Sequence, residues 1–299
     1  MAVYWEPCPA GARVLRVLGD TPCTAVPASI EGLPVAEVGA YCFADKPVKA
    51  VARLAGSSGH EITGNFVEEV TLPDTVRVLD SAAFYNCRKL RRVSLGAGVE
   101  GFGSDLFTNC RSLETFVLRA APDAPTGLKK LLGAVSADVT VELDGARLFY
   151  PEYSEFLDEN TPAHIFNHSI EGEGYRMRQC FTPGGAVDYA AFDASFAQAC
   201  VGESERTLCR LALGRLVLPF ALSADARADY EFYLTAHPDA AFRLAIDTRD
   251  EAALRLLVGL GLPTAEAAAY CSRAGWSAGA AILLGRAKRV KKTYSFEDL

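Results

Sequence analysis

Phe84-Tyr85-Asn86-Cys87-Arg88-Lys89-Leu90 returns 23 residues later as Phe107-Thr108-Asn109-Cys110-Arg111-Ser112-Leu113. The same period carries an apolar triplet with a free middle position: Val70-Thr71-Leu72, Val93-Ser94-Leu95, Phe116-Val117-Leu118 and Val139-Thr140-Val141. A fixed repeat of about 20 to 29 residues marks a solenoid, in which each unit buries its apolar face only by stacking on its neighbours. Side chains alternate along a strand, so the outer residues of each triplet share one face and the middle residue takes the other. Stacking is expected to put Val70, Val93, Phe116 and Val139 in one apolar column, about 4.8 Å per step. Full burial of each such side chain stabilises by roughly 1.5 to 3 kcal/mol.

Upstream, Ile30-Glu31-Gly32-Leu33-Pro34-Val35 leads through Val38-Gly39 to Phe43. The later unit from Leu72-Pro73 through Val76 to Ala83-Phe84 has the same skeleton. Phe43 precedes Phe84 by 41 residues, one period plus 18, and the excess is assigned to residues 47–66, where Gly56-Ser57-Ser58-Gly59 reads as a loop. These strings resemble the BspA-type leucine-rich repeats of bacteria over about residues 11–119. The resemblance implies one short strand per unit, stacked into a curved sheet, and many members of that family are cell-surface proteins.

Past residue 119, Pro122, Pro125 and Gly127 replace the consensus, so residues 120–143 read as a degenerate capping rung that keeps only its strand. Val139–Leu143 and Ala146–Tyr150 flank Asp144-Gly145, a favoured two-residue hairpin turn. After Pro151 the pattern reads as helical. Thr161-Pro162 supplies a cap and a first-turn proline, and Thr248 to Glu251 fits a capping box. Ala241 to Leu257 is echoed at Ala269 to Leu284, a loosely ankyrin-like pairing of helices that simple helical hairpins also explain. The expected class is therefore α+β: a short leucine-rich-repeat solenoid with stacked β-strands (residues 1–143), a hairpin and linker segment (144–183), and an all-helical C-terminal domain (184–299).

By alternation, Glu69, Thr71, Arg92, Ser94, Thr115, Val117 and Arg119 face away from the core. This mixed polar surface suits a protein partner and holds no catalytic pair, so it is the expected binding face of an interaction module that is not an enzyme. A second reading centres on Gly172-Glu173-Gly174-Tyr175-Arg176-Met177-Arg178-Gln179-Cys180. Tyr175, Arg176, Arg178 and Cys180 could form an anion or small-ligand pocket, because arginine forks match phosphate and carboxylate. The competing reading is a linker strand whose arginines pair with the acids of residues 151–160. A third reading is self-assembly through the helical domain.

Other motifs read as structural. Gly275-Trp276-Ser277-Ala278-Gly279 matches a nucleophile elbow, but no histidine follows it, so a turn opening a helix competes. His164 and His168 could share a helical face toward a metal, yet the His-Glu-x-x-His motif is absent and no metal or other cofactor is expected. Cys87 and Cys110 read as stacked small residues, and Asn86 and Asn109 as satisfying turn backbone. Arg286, Lys288, Arg289, Lys291 and Lys292 suit a helix C-terminus.

Composition narrows the classes. The 299 residues carry a net charge of -7 and are 50% hydrophobic, which supports a real core and gives no global field for nucleic acid. The stretch Leu211–Leu222 is broken by Arg215 and Pro219 and is too short to span a bilayer. Residues 1–8 show no basic region followed by an apolar run, so no signal peptide is expected. Nine cysteines then point to reduced thiols in a cytoplasm.

Overall fold

The computed structural model describes residues 1–47, 53–56, 59–160 and 165–290, with backbone alone for 158–160, 165–167 and 286–290. The chain divides into two compact units: Met1–Gly145 with Tyr150–Ala191, and Ala146–Phe149 with Phe192–Leu299.

The first unit is the solenoid. Its strands are β1 (Ala2–Cys8), β2 (Gly11–Gly19), β3 (Cys23–Ala25), β4 (Ser29–Ile30), β5 (Leu33–Val38), β6 (Arg53–Gly56), β7 (His60–Glu61), β8 (Glu69–Thr71), β9 (Val78–Leu79), β10 (Arg92–Gly96), β11 (Gly101–Phe102), β12 (Thr115–Arg119) and β13 (Val139–Leu143). β14 (Ala146–Tyr150) follows the Asp144-Gly145 turn, where Gly145 takes φ 102. One sheet runs in the order β14-β13-β12-β10-β8-β3; the other runs β11-β9-β5-β2-β1-β6, with β4 beside β5 and β7 beside β2. From β3 to β13 the first sheet is parallel throughout. The turns up to β11 therefore have a strand on two sides, and the insertion at 47–66 supplies β6 and β7 rather than a plain loop. Residues 48–52 and 57–58 lie outside the described residues. β1 and β2 form an antiparallel hairpin that the repeat pattern did not announce, and Trp5 between its partners is fully buried.

The apolar column forms, with one correction. Val70 opposes Val93 and Val93 opposes Phe116, as the period requires, but Phe116 opposes Val141 rather than Val139. The last rung is two residues longer because a helix, α1 (Leu128–Gly133), buries Leu128, Leu131 and Leu132 where the other turns run tight. A shift of two preserves the face, so Val139 stays buried as well. Beside this column Phe43, Phe84 and Phe107 stack nearly parallel, with ring centroids 5.0 and 5.2 Å apart. Aromatic pairs at such spacing add about 0.5 to 1.5 kcal/mol beyond their buried area.

Turn polarity is satisfied in the same periodic way. The Cys87 thiol donates to the Phe43 carbonyl (3.2 Å) and the Cys110 thiol to that of Phe84 (3.0 Å). Asn109 Nδ2 donates to Asn86 Oδ1 at 2.8 Å. Both asparagines sit at positive φ, 61 and 63, a conformation Asn tolerates better than most residues. All nine cysteines are free.

The helical reading of residues after 151 fails locally. β15 (Ser154–Asn160) and β16 (Ile165–Glu171) form an antiparallel two-stranded sheet, followed by the single turn α2 (Gly174–Met177). The aromatic and branched residues Phe156, Leu157, Ile165, Phe166 and Ile170 favour a strand more than the Thr161-Pro162 pair favours a helix; Thr161–His164 themselves lie outside the described residues.

The second unit is helical: α3 (Tyr189–Ala194, whose first residues belong to the solenoid unit), α4 (Phe196–Gly202), α5 (Glu205–Val217), α6 (Ala224–Ala236), α7 (Pro238–Asp247), α8 (Glu251–Gly259), α9 (Ala265–Arg273) and α10 (Ser277–Val290). The echo read from sequence corresponds to two successive pairs, α7 with α8 and α9 with α10. Ser204, Ser223 and Asp250 accept from backbone N–H groups at the starts of α5, α6 and α8. Asp250, not Thr248, is thus the α8 cap; Thr248 ends α7, its hydroxyl donating to Leu244 O. Arg215 is fully buried and is forked onto Asp193 (2.6 and 2.8 Å), which also accepts from the Tyr230 hydroxyl at 2.9 Å.

Leu95→Ala removes a buried side chain from the solenoid column and is expected to cost about 2 to 5 kcal/mol, read as a lower urea midpoint; an unchanged midpoint contradicts this register. Burial also holds the Cys42 and Cys209 thiols up to about 12, against an ordinary 9.0. The folded chain keeps these protons while the unfolded chain releases them, so this contribution is complete below about pH 9 and is lost as pH rises toward 12. The urea midpoint should therefore fall above pH 9, with a shallower slope for Cys42→Ala.

Candidate functional site

Sheet register places the outward residues in rows. Cys23, Glu69, Arg92, Thr115 and Thr140 form one row; Ala25, Thr71, Ser94, Val117 and Glu142 form the next; Arg119 lies beyond, level with Gly96. The seven expected positions, Glu69, Thr71, Arg92, Ser94, Thr115, Val117 and Arg119, are all half-buried or exposed, while Val70, Val93, Leu95, Phe116 and Leu118 are buried. Two members of each row escaped the sequence reading. Cys23 and Ala25 belong to a strand 46 residues before β8, two periods rather than one, and Thr140 and Glu142 were displaced by the longer last rung.

The cations of this face already hold partners. Arg92 reaches across β12 to Glu142 at 3.0 Å, and Arg91 meets Glu68 at 3.2 Å. Arg119 donates to Asp74 (2.8 Å), to the Ser94 hydroxyl (2.6 Å) and to Leu72 O (2.5 Å). These guanidinium groups are held in place by their partners, and a side chain already ordered loses less entropy in any further contact. The Cys23 thiol is pushed up by partial burial and by Glu69 and Glu68, which disfavours a reactive thiolate. The face can donate and accept hydrogen bonds.

The segment Gly172–Cys180 is built differently from either expectation. Tyr175 and Arg176 are exposed on α2, with Tyr175 edge-on to Tyr153 at 5.4 Å and Arg176 Nε 3.8 Å from Glu173. Arg178 is buried. It donates to Val135 O (3.1 Å), Ala137 O (2.7 Å), Gly174 O (3.1 Å) and Pro151 O. Burial lowers its guanidinium to about 10. Cys180 is buried too, its thiol 3.6 Å from Arg176 O. Arg178 therefore ties β13's approach to the start of α2 through carbonyls, not through the acids of residues 151–160.

The family comparison agrees with the rungs just described. Residues 63–123 match the family model "BspA type Leucine rich repeat region (6 copies)". That segment is a BspA-type leucine-rich repeat region. Two solved structures are similar over part of their length. One is the leucine-rich repeat protein of T. pallidum, 26% identical, with a TM-score of 0.31, covering 40% of this chain and 51% of that one. The other is a leucine rich cell surface protein of Faecalibacterium prausnitzii A2-165, 19% identical, with a TM-score of 0.28, covering 48% of this chain and 43% of that one. The chain thus spans about half the length of each, and no curated protein matches it.

Outside the repeat region the remaining motifs find structural explanations. Gly275 takes φ 66 in the turn between α9 and α10, and Ser277 opens α10, so a helix rather than a strand precedes the Gly275–Gly279 motif. His168 lies on β16, 3.3 Å from Glu155, not on a helix with His164, which lies outside the described residues. Among the described residues no group of three or more His, Cys, Asp or Glu could hold a metal ion, and no helix is long and apolar enough to cross a membrane. The side chains of Arg286, Lys288, Arg289, Lys291 and Lys292 lie outside the described residues.

Arg178→Ala strands buried carbonyls and is expected to destabilise by about 2 to 4 kcal/mol, whereas Arg176→Ala should stay within about 0.5 kcal/mol. Urea denaturation of both variants checks the contrast.

Proposed function

We propose that the chain is a protein-interaction module, not an enzyme, that binds a protein partner on the strand face of its repeat region. One observation carries this reading. The in-register rows offer a mixed polar surface whose arginines are pre-positioned by Glu142, Asp74, Ser94 and Leu72 O, with no nucleophile and base brought together on it. Leucine-rich repeats generally serve protein interaction, which supports the same reading. A reducing compartment such as the cytoplasm fits nine unbridged cysteines, and fractionation of the source cells tests that part.

The small-ligand reading on Tyr175, Arg176, Arg178 and Cys180 has less support, since two of the four are buried and Arg178 is committed to backbone carbonyls.

Arg92→Glu reverses a half-exposed charge and repels Glu142 without touching the core. Capture from source lysate should retain a specific protein on the wild type and lose it on this variant, with both chains sharing one melting curve. Equal capture by both removes the strand face as the site.

A further inference from the structure

The turns that carry Cys87 and Cys110, and the turn before them, present exposed cations that make no ion pair among the described residues. Lys46, Arg88, Lys89 and Arg111 are exposed, and among the described residues none has a carboxylate within 4.0 Å. Arg91, Arg92 and Arg119 on the strand side all have one. The difference is not a matter of sequence distance, because Arg88 and Arg91 are one helical turn's worth of residues apart on the same rung.

These cations belong to successive, tightly registered turns. The Asn86 N–H donates to Thr108 O at 2.9 Å, and the Asn109 and Asn86 side chains are bonded at 2.8 Å. Arg88 and Arg111 follow these anchors at the same offset, one rung apart, so their backbones are separated by a step of about 4.8 Å. Like charges opposed on neighbouring strands are destabilising, and among the described residues no carboxylate lies within 4.0 Å of either. Lys46 adds a third turn: its Nζ lies 4.2 Å from the Tyr41 ring centre and 5.3 Å from that of Tyr85, whose rings meet edge to face at 6.5 Å. The exposed acids on these turns are Asp45 and Asp105, the latter 3.3 Å from the Thr108 hydroxyl, with Glu114 where the last turn meets β12. Four cations against these three acids leave this ridge positive on a chain whose net charge is -7.

We infer that this ridge is a second interaction surface and that it takes an acidic, extended segment of a protein. Carboxylates match the arginine fork, and an extended segment repeats same-side carboxylates about every 6.6 Å, within reach of long side chains on adjacent turns. A nucleic-acid strand fits less well. It stacks bases on open aromatic faces along an unbroken basic track, whereas Lys46 already covers Tyr41 and Asp45 and Asp105 interrupt the ridge. The inference stands on the turns alone and does not require the strand face to bind anything.

The test titrates labelled poly-L-glutamate into the full chain at low salt, with single-stranded poly-dT of equal length in parallel. The expected result is binding to polyglutamate that weakens with added salt and drops roughly tenfold or more in Arg88→Glu/Arg111→Glu, while Arg255→Glu on the exposed side of α8 leaves it unchanged. No binding to polyglutamate, equal binding by the double variant, equal loss in Arg255→Glu, or a preference for poly-dT each overturns the inference. Circular dichroism checks folding. If the double reversal does not fold, Lys46→Gln/Lys89→Gln takes its place and must weaken binding in the same direction; no change there also overturns the inference.

Discussion

Phe43, Phe84 and Phe107 lie face to face along the solenoid, and every other feature of that unit depends on the stacking they mark. No single rung can bury its own apolar residues: Val93 is covered because Val70 and Phe116 flank it at hydrogen-bonded register. The backbone bonds between rungs, such as Leu72 N–H to Ser94 O at 2.8 Å, exclude a slip that would turn the core outward. A surface built from successive rungs is then as rigid as the stack beneath it, although each strand contributes only three to five residues.

Repetition also divides the polar chemistry. Positions that recur inside the turns satisfy one another, thiol to carbonyl and amide to amide, so the ladder of cysteines and asparagines is part of the scaffold. On the strands, arginines cross between rungs and find acids or carbonyls. On the turns Arg88 and Arg111 do not, and they recur at the same offset on neighbouring rungs. One periodic sequence thus yields a neutralised face and a charged ridge. The helical unit follows a different logic, in which side-chain caps open α5, α6 and α8 and the buried set of Arg215, Asp193 and Tyr230 fixes α3, α5 and α6 together. Losing one member of such a buried pair costs more than the pair contributes, since it leaves the other charge unanswered.

How much of this was legible in the sequence depended on the range of the signal. The 23-residue period exposed the rungs, the core column and the outward face, because alternation and stacking are fixed by backbone geometry. It failed where a rung changed length. The helix Leu128–Gly133 moved the last strand by two residues, and the first rung sat two periods upstream of its neighbour. The hairpin at Ser154–Glu171 was hidden by a cap-and-proline pair, a local signal that strand-forming residues on both sides outweighed. Arg178 looked like a ligand-binding residue because sequence cannot tell an arginine aimed at solvent from one aimed at four carbonyls. Nor could it show that Arg92 and Arg119 are paired while Arg88 and Arg111 are not, since the pairing acids Glu142 and Asp74 are 50 and 45 residues away.

The central claim is that a protein partner sits on the strand face. Site-specific photo-crosslinking tests it most directly: a photoreactive residue replaces the exposed Thr71 of that face or, in a second variant, the exposed Val201 of the helical unit, and both are irradiated in source lysate. The account predicts a discrete protein adduct from position 71 and none of that mass from position 201. Adducts from position 201 alone, or from neither position, would contradict it.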